Sequence, residues 1–199
     1  MARRKGQSLG RKDVVAAALA CVEEDGPESL NVNRVAQRLG IRTPSLYNHV
    51  DGADDLRRAL VLEILERASR NVVPEGSTTF SSPRDFVTAL AVGLRNFALE
   101  NANLYLFMMA APVQWDADPF APTWARAMSE MNQAMVGYGY EGLQALHAAR
   151  FTHATIQGYI RLELRGSWER QGHEDESFHW LLARLLEVLD ARSRSSSAA

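Results

Sequence analysis

The sequence contains only one cysteine, Cys21, among its 199 residues. A single thiol cannot form an internal disulfide, which excludes the disulfide-stabilised scaffolds of small secreted proteins and is compatible with a reducing compartment. Cys21 shares the apolar face of a predicted helix with Val14 and Val22, and free cysteines in such positions are usually packed in a core. We therefore expect a buried, unreactive thiol.

Long apolar runs are also lacking. No stretch approaches the roughly 20 consecutive apolar residues that a transmembrane helix needs. The cationic start, MARRKGQSLG, is not followed by the apolar segment of a signal peptide. The expected location is the cytoplasm, without membrane contact.

A strong excess of one charge is absent as well, because the formal net charge is only −2. This excludes a protein that coats nucleic acid through general basicity. Of the 22 basic and 24 acidic residues, eight and five lie in residues 1–50, which leaves 14 and 19 for residues 51–199. The sign of this asymmetry favours DNA contact at the N-terminal end.

No segment alternates convincingly between apolar and polar residues, so the expected fold class is all-α. Proline, glycine, serine and threonine cluster in residues 71–83, which makes this segment the best internal boundary. We predict an N-terminal domain over 1–70, a second domain over 71–191 and a disordered tail over 192–199. Periodicity and stop signals place the helices at about 11–25, two short ones within 31–50, then 52–70, 83–100, 103–110, 123–136, 142–166 and 176–191.

Residues 31–50 predict a tight helix-turn-helix corner. Asn31 is expected to cap the first helix and Gly40 to end it in a left-handed conformation. Thr43 and Pro44 fit the N-cap and first position of the second helix. Corners of this kind also occur in proteins that never bind DNA, so the geometry alone leaves the function open. Small and apolar residues stand where the two helices cross: Ala36, Leu46 and Val50.

The exposed side of the second helix favours DNA binding over an ordinary solvated surface. It carries short hydrogen-bonding and aromatic side chains rather than Glu and Lys, and such side chains reach base edges and phosphates. The helix N-terminus also offers unpaired N–H groups to a phosphate. Double-stranded DNA is therefore the predicted partner, and the predicted contacts are Arg42, Thr43, Ser45, Tyr47, Asn48 and His49.

The segment VVAAALACVEEDGPESL precedes this corner and an amphipathic helix is predicted after it. Over about residues 9–70 the chain resembles the DNA-binding domain of the tetracycline-repressor (TetR) family of bacterial regulators. In that family the first turn of the recognition helix, its Tyr and its His contact DNA, which implies the same for Pro44 together with Thr43, Ser45, Tyr47 and His49. The matching residues are Ala36, Gly40, Pro44, Leu46, Tyr47, His49 and Val50.

One departure from the family concerns the start of the fourth helix, where Ala53 replaces a Lys that usually touches phosphate. Loss of one phosphate contact should weaken binding and lower the salt slope by roughly one. Arg57 is a candidate to compensate, and so is the basic arm formed by Arg3, Arg4 and Lys5. We interpret the arm as a minor-groove contact; an ordinary disordered cationic end is the alternative.

The C-terminal segments ATIQGYIRLELRGSW (154–168) and SFHWLLARLLEVL (177–189) resemble the last two helices of one branch of the family. That branch carries a Trp-His-Gly type motif, and Gln157 stands here in place of its His, so the role of that His is not carried over. In the family these helices form a four-helix bundle with a second subunit, which implies a homodimer. Trp180, opposite the leucine stripe of the last helix, also suggests an interface; a thick monomer core is the alternative. The predicted interface residues are Gln157, Tyr159, Phe178, Leu181, Leu182, Leu185 and Leu189.

Bulky and adaptable apolar side chains are frequent between residues 107 and 151. As a set they suit a pocket for a hydrophobic small molecule and match the inducer pocket that the resemblance implies. For each residue taken singly, packing in the core is the alternative. The predicted pocket residues are Phe107, Met108, Trp115, Trp124, Met128, Met131, His147 and Phe151.

The motifs that resemble enzyme sites lack the surrounding sequence that such sites need. The segment GYGYEG (137–142) matches G-x-G-x-x-G, but no strand precedes it and a turn between helices is the better interpretation. The histidine pairs His147/His153 and His173/His179 are each spaced by six, which does not place both members on one helical face. We predict no catalytic residue, metal or cofactor.

The expected function is that of a sequence-specific transcriptional regulator, a homodimeric repressor released from a palindromic operator by a small hydrophobic effector. The alternative class is a small helical enzyme or lipophile-binding protein that uses a cavity in the C-terminal domain.

Overall fold

A computed structural model describes residues 9–72, 80–110, 121–167 and 172–196. All regular structure in these residues is helical, which confirms the all-α prediction for this part of the chain. A short 3₁₀ turn, Pro27–Ser29, follows the first helix. The α-helices are α1 Arg11–Asp25, α2 Val32–Leu39, α3 Thr43–Leu46, α4 Ala53–Val72, α5 Pro83–Glu100, α6 Ala102–Ala110, α7 Ala121–Gly137, α8 Gly142–Leu164 and α9 Glu174–Ser196.

Glycine and proline set several of these boundaries, as the sequence predicts. α1 ends at Gly26, whose φ of +96° is one that side-chain-bearing residues rarely adopt. α5 begins at Pro83, and the hydroxyl of Ser82 accepts the backbone N–H of Asp85 at 3.1 Å. The segment 137–142 is the turn between α7 and α8, as expected.

α9 is longer than the sequence predicts, because it continues through Ser196 and so enters the predicted tail. Leu189 is fully buried near its end, and the Arg192 guanidinium donates a hydrogen bond to the Gly139 carbonyl at 3.3 Å. These contacts hold the polar end of the helix, where apolar periodicity has already stopped.

The chain divides into two compact units. The first comprises Met1–Glu66 and Asn101–Gln114, and the second comprises Arg67–Glu100 and Trp115–Ala199. The predicted domains differ from these units in two respects. α6, assigned by its position in the sequence to the second domain, belongs to the first unit, and the end of α4 from Arg67 onward belongs to the second unit.

The core of the first unit is built from the apolar faces of α1 and α4 and from the corner between α2 and α3. Burial raises the pKa of the Cys21 thiol, and the side chain is fully enclosed, as expected for a packed cysteine. Further residues with no exposed surface are Val14, Ala18, Val22, Leu46, Leu56, Leu60 and Ile64.

The second unit contains a buried ionic cluster that joins α5, α8 and α9. The Arg95 guanidinium contacts both carboxylate oxygens of Glu163, with Nε 2.8 Å from Oε2 and Nη2 2.5 Å from Oε1. It also pairs with Asp175 at 2.6 Å and lies over the ring of Phe178, 4.6 Å from its centroid. The hydrogen bond to Glu163 is the main reason that the pKa of Arg95 is raised.

A second feature of this unit is the close approach of α5 to the end of α4. A Cβ atom at Gly93 would lie 2.4 Å from the backbone oxygen of Asn71, well inside any permitted contact. Only glycine lets the two backbones lie this close together.

Candidate nucleic-acid interface

The first helix of the helix-turn-helix corner and the turn after it have the geometry that the sequence predicts. The side chain of Asn31 accepts the backbone N–H of Asn33 at 2.8 Å, and Gly40 adopts a left-handed conformation with φ +67°. After Gly40 the chain turns back on α2, since the Ile41 N–H donates to the Ala36 carbonyl at 3.0 Å. Ala36 and Leu46 are buried at the crossing.

The start of α3 differs from the prediction by one residue. Arg42 is the N-cap residue, and Thr43 is already helical. The physical reason is that the Thr43 hydroxyl donates to Oδ1 of Asn33 at 2.8 Å, a bond between α3 and α2, instead of capping its own helix. α3 then spans a single turn to Leu46, and residues 47–49 continue as a turn rather than a longer helix.

All seven residues predicted to contact DNA reach the surface of the first unit. Tyr47 is 48% exposed. Thr43 and His49 are half-buried, and the exposed members of the set are Arg42, Pro44, Ser45, Tyr47 and Asn48.

An ion pair that the sequence does not predict supports the end of this segment. Arg11 on α1 meets Asp55 on α4 through two contacts, of 2.5 and 2.7 Å. The same guanidinium donates to the His49 carbonyl at 3.3 Å, and the Asp55 carboxylate accepts the Asp51 N–H at 2.9 Å. Arg11 and Asp55 are 44 residues apart, so no local pattern could have indicated the pair.

The hydrogen bonds from Arg11 are the main reason that the pKa of Asp55 is lowered from 3.8 to about 2. A carboxylate with a depressed folded-state pKa stabilises the fold above its unfolded pKa, and this contribution disappears as the pH falls through the folded value. Asp55→Asn should therefore cost about 1 kcal/mol at pH 7, a figure reduced because Arg11 is about half exposed. The cost should shrink between pH 4 and pH 2, as followed by urea unfolding at several pH values. An unfolding difference that stays constant over this range would contradict the assignment.

Two more ion pairs fasten α2 to the last turn of α1. Arg38 contacts Glu24 at 2.6 and 2.7 Å, and Arg34 pairs with Asp25. The Arg38 pair lowers the pKa of the Glu24 carboxyl. Arg34 and Arg38 therefore act within the unit, as partners of α1.

The start of α4 lacks a basic side chain, as its sequence indicates. Ala53 and Asp54 are both exposed there. The guanidinium of Arg57, proposed from sequence to replace the missing phosphate contact, lies over the ring of Phe107 with 5.3 Å to its centroid. The arm residues Arg3, Arg4 and Lys5 lie outside the described residues.

The residues predicted to line a ligand pocket are divided between the two units. Phe107 is buried in the first unit and Met131 in the second. Met108 is half-buried, whereas His147 and Phe151 are exposed. Trp115 and the side chains of Trp124 and Met128 lie outside the description.

The leucine stripe of α9 packs inside the second unit rather than facing outward. Gln157 of α8 is buried in the same way, and Tyr159 donates its hydroxyl to the Glu174 carbonyl at 2.6 Å. Leu181 is half-buried. The remaining predicted interface residues are buried within the single chain: Phe178, Leu182, Leu185 and Leu189.

The apolar surface that α8 and α9 leave exposed is on their opposite faces. Trp180 is 68% exposed and Val188 52%. A groove between the two helices is lined by Gly158, Leu162 and Trp180, and a Cβ at Gly158 would have no neighbour within 4 Å. We call this exposed surface the Trp180 face. Tyr159 and Leu181 also line its groove, whereas the other leucines of the stripe supply the core.

Over the described ranges, no group of His, Cys, Asp or Glu side chains is placed to hold a metal ion. In the same part of the chain no helix is both long and apolar enough to cross a bilayer.

A one-turn helix set at a glycine corner, held by ion pairs and followed by a long helical unit, is the architecture of a helix-turn-helix protein. The family model described as "Tetracyclin repressor-like, C-terminal domain" matches residues 87–185. The chain belongs to the tetracycline-repressor family.

Relatives support this membership over most of the length. An uncharacterized HTH-type transcriptional regulator of Mycobacterium tuberculosis is 29% identical over 79% of this chain and 72% of its own. The class D tetracycline repressor protein of Escherichia coli is 28% identical over 92% of this chain and 81% of its own. The crystal structure of BioQ with its double-stranded DNA operator shares the fold, with a TM-score of 0.67 and 22% identity over 92% of this chain and 99% of that one.

Proposed function

We propose that this regulator is a homodimeric repressor that reads a palindromic DNA operator through α3 and the turn after it. The observation that carries the proposal is the exposure of Arg42, Ser45, Tyr47 and Asn48. Their corner is fixed to α1 by the Arg38–Glu24 ion pair and by the hydrogen bond from Arg11 to the His49 carbonyl. A rigid base matters because base-edge hydrogen bonds discriminate only when their donors and acceptors are held in place. The structural relative BioQ binds a double-stranded operator, which supports the same partner here.

A second copy of the chain is the proposed occupant of the Trp180 face. An isologous interface contacts the same patch on both subunits, and this patch is apolar, with Gly158 leaving room for the close approach of another helix. Two heads related by this symmetry would place their recognition segments about one DNA turn, ~34–36 Å, apart.

The proposed effector is a small hydrophobic molecule. The support is the composition of residues 107–151 and the relationship to a repressor named for tetracycline. An effector that binds better to the conformer with low DNA affinity would weaken operator binding. The loss of binding free energy cannot exceed the difference between the effector's binding free energies for the two conformers. Because a repressor acts on chromosomal DNA, we propose that the protein works in the cytoplasm.

The competing proposal is a helical enzyme or lipophile carrier that keeps the corner as a structural element. A protein that converts a substrate and does not bind DNA would favour this competing proposal. We propose instead a protein without catalytic activity, because a purely structural corner does not need the exposed polar side chains that suit DNA contact.

The test is selection of binding sites from a pool of random DNA duplexes, followed by footprinting of the recovered sequences. We expect a palindrome with two protected half-sites about one turn apart, bound with strong salt dependence. Tyr47→Ala and His49→Ala should each raise the dissociation constant for this duplex about 10- to 100-fold.

The matched comparison is an unselected duplex. The two variants should bind it with the same dissociation constant as the wild type. Recovery of no common sequence would refute DNA reading. A single protected half-site at saturating protein would refute the dimer and leave the reading surface intact.

A further inference from the structure

α6 is part of the DNA-reading unit even though it follows α5 in the chain. Leu104, Tyr105 and Phe107 have at most 1% of their surface exposed, and all three belong to the first unit. Phe107 also contacts Arg57 on α4, with 5.3 Å between the guanidinium carbon and the ring centroid. The first unit therefore includes a helix that lies far along the sequence from the helix-turn-helix corner.

Asn103 attaches α6 to the end of α1. The last carbonyl groups of a helix have no partner within it and need one from elsewhere. In α1 the Gly26 N–H donates to the Val22 carbonyl at 3.0 Å. The Glu23 carbonyl accepts its hydrogen bond from Nδ2 of Asn103 at 2.9 Å.

The same turn of α1 anchors α2. Glu24 and Asp25 directly follow Glu23, and they hold Arg38 and Arg34. α2 in turn holds α3, because Asn33 accepts the Thr43 hydroxyl. A continuous set of polar contacts thus leads from α6 through α1 and α2 to the first residue of the recognition segment.

We propose that Asn103 is a positioning residue for the DNA-reading corner, acting through the Glu23 carbonyl at the end of α1. This rests on the proposed function, since the corner must bind DNA for its position to matter. Asn103 itself does not touch DNA. Its hydrogen bond fixes the turn of α1 against which α2 is held.

The test uses the full-length protein with Asn103→Leu, which keeps the volume of the side chain and removes the donor. The probe is the duplex recovered from the random pool by the wild type, with an unselected duplex for non-specific binding. We expect the dissociation constant for the selected duplex to rise about three- to tenfold, with non-specific binding unchanged. Amide hydrogen exchange over residues 26–39 should become faster.

Asn103→Gln, which keeps an amide donor, should recover at least part of the affinity and of the protection. Asn96 on α5 is exposed, so Asn96→Leu is the matched control and should change neither measurement. Unchanged exchange and affinity in Asn103→Leu would overturn the proposal, and so would an equal loss in Asn96→Leu.

Failure of the proposed function gives a different result. If the wild type selects no duplex, DNA reading is refuted, while the exchange measurement still decides whether Asn103 orders the corner. If the wild type binds its duplex and the two Asn103 variants match it in affinity and exchange, only the positioning role is refuted.

Discussion

Arg95→Leu is expected to lower the free energy of unfolding by about 3–5 kcal/mol, because it leaves the Glu163 carboxylate buried without a partner. The two side chains are only 8% and 7% exposed, so water cannot replace the lost guanidinium. Asp175, whose side chain is 81% exposed, is solvated either way and adds little. Urea unfolding followed by circular dichroism, at a fixed protein concentration, measures the change.

The double variant Arg95→Leu/Glu163→Leu should recover most of this loss, since it removes both charges and leaves apolar side chains in their place. Arg84→Leu is the matched control, because its ion pair with Asp190 is solvent-exposed and should cost less than about 1 kcal/mol. A double variant less stable than Arg95→Leu would show that Arg95 acts through packing and not through its charge.

Trp180→Glu is expected to raise the dissociation constant of the proposed homodimer at least about 100-fold. Burial of a large apolar side chain contributes roughly 1.5–3 kcal/mol, and in an isologous interface each substitution acts twice. The affinity for the selected palindrome should fall with it, because two tethered heads bind as one ligand. Analytical ultracentrifugation measures the assembly and a DNA titration measures the second effect.

Two valines with the same exposure provide a matched pair for this experiment. Val188 lies on the Trp180 face of α9, Val136 lies on α7, and each is 52% exposed. Val188→Glu should weaken the dimer and Val136→Glu should not. Equal effects of the two variants, or a Trp180→Glu protein that stays dimeric at micromolar concentration, would place the interface elsewhere.

Most helix boundaries could be predicted from the sequence because they depend on local chemistry. Gly26 stops α1, Ser82 and Pro83 start α5, and Asn31 and Gly40 frame α2, each through backbone conformations or caps set by neighbouring residues. The start of α3 was misplaced by one residue because Thr43 has a second possible partner, Asn33, on another helix. A capping preference cannot anticipate that competition.

Which side of a helix is buried, and against which other helix, was less predictable from the sequence. α6, with the sequence ANLYLFMMA, is apolar except for Asn103, so its periodicity does not indicate which unit it packs against. α9 has apolar residues both in its leucine stripe and at Trp180, and the sequence does not say which set is covered by the chain itself. The Arg95–Glu163 and Arg11–Asp55 pairs join residues 68 and 44 positions apart, beyond the reach of any local pattern.

Three partly solvent-exposed ion pairs hold the first unit together: Arg11–Asp55, Arg34–Asp25 and Arg38–Glu24. Added salt screens exposed pairs, and it also weakens phosphate contacts by reducing the gain from counterion release. A salt titration of operator binding therefore counts two kinds of electrostatic contact at once, those to phosphate and those inside the reader. The number of phosphates calculated from such a titration, which is the slope divided by about 0.9, is therefore an upper bound on the number this protein neutralises.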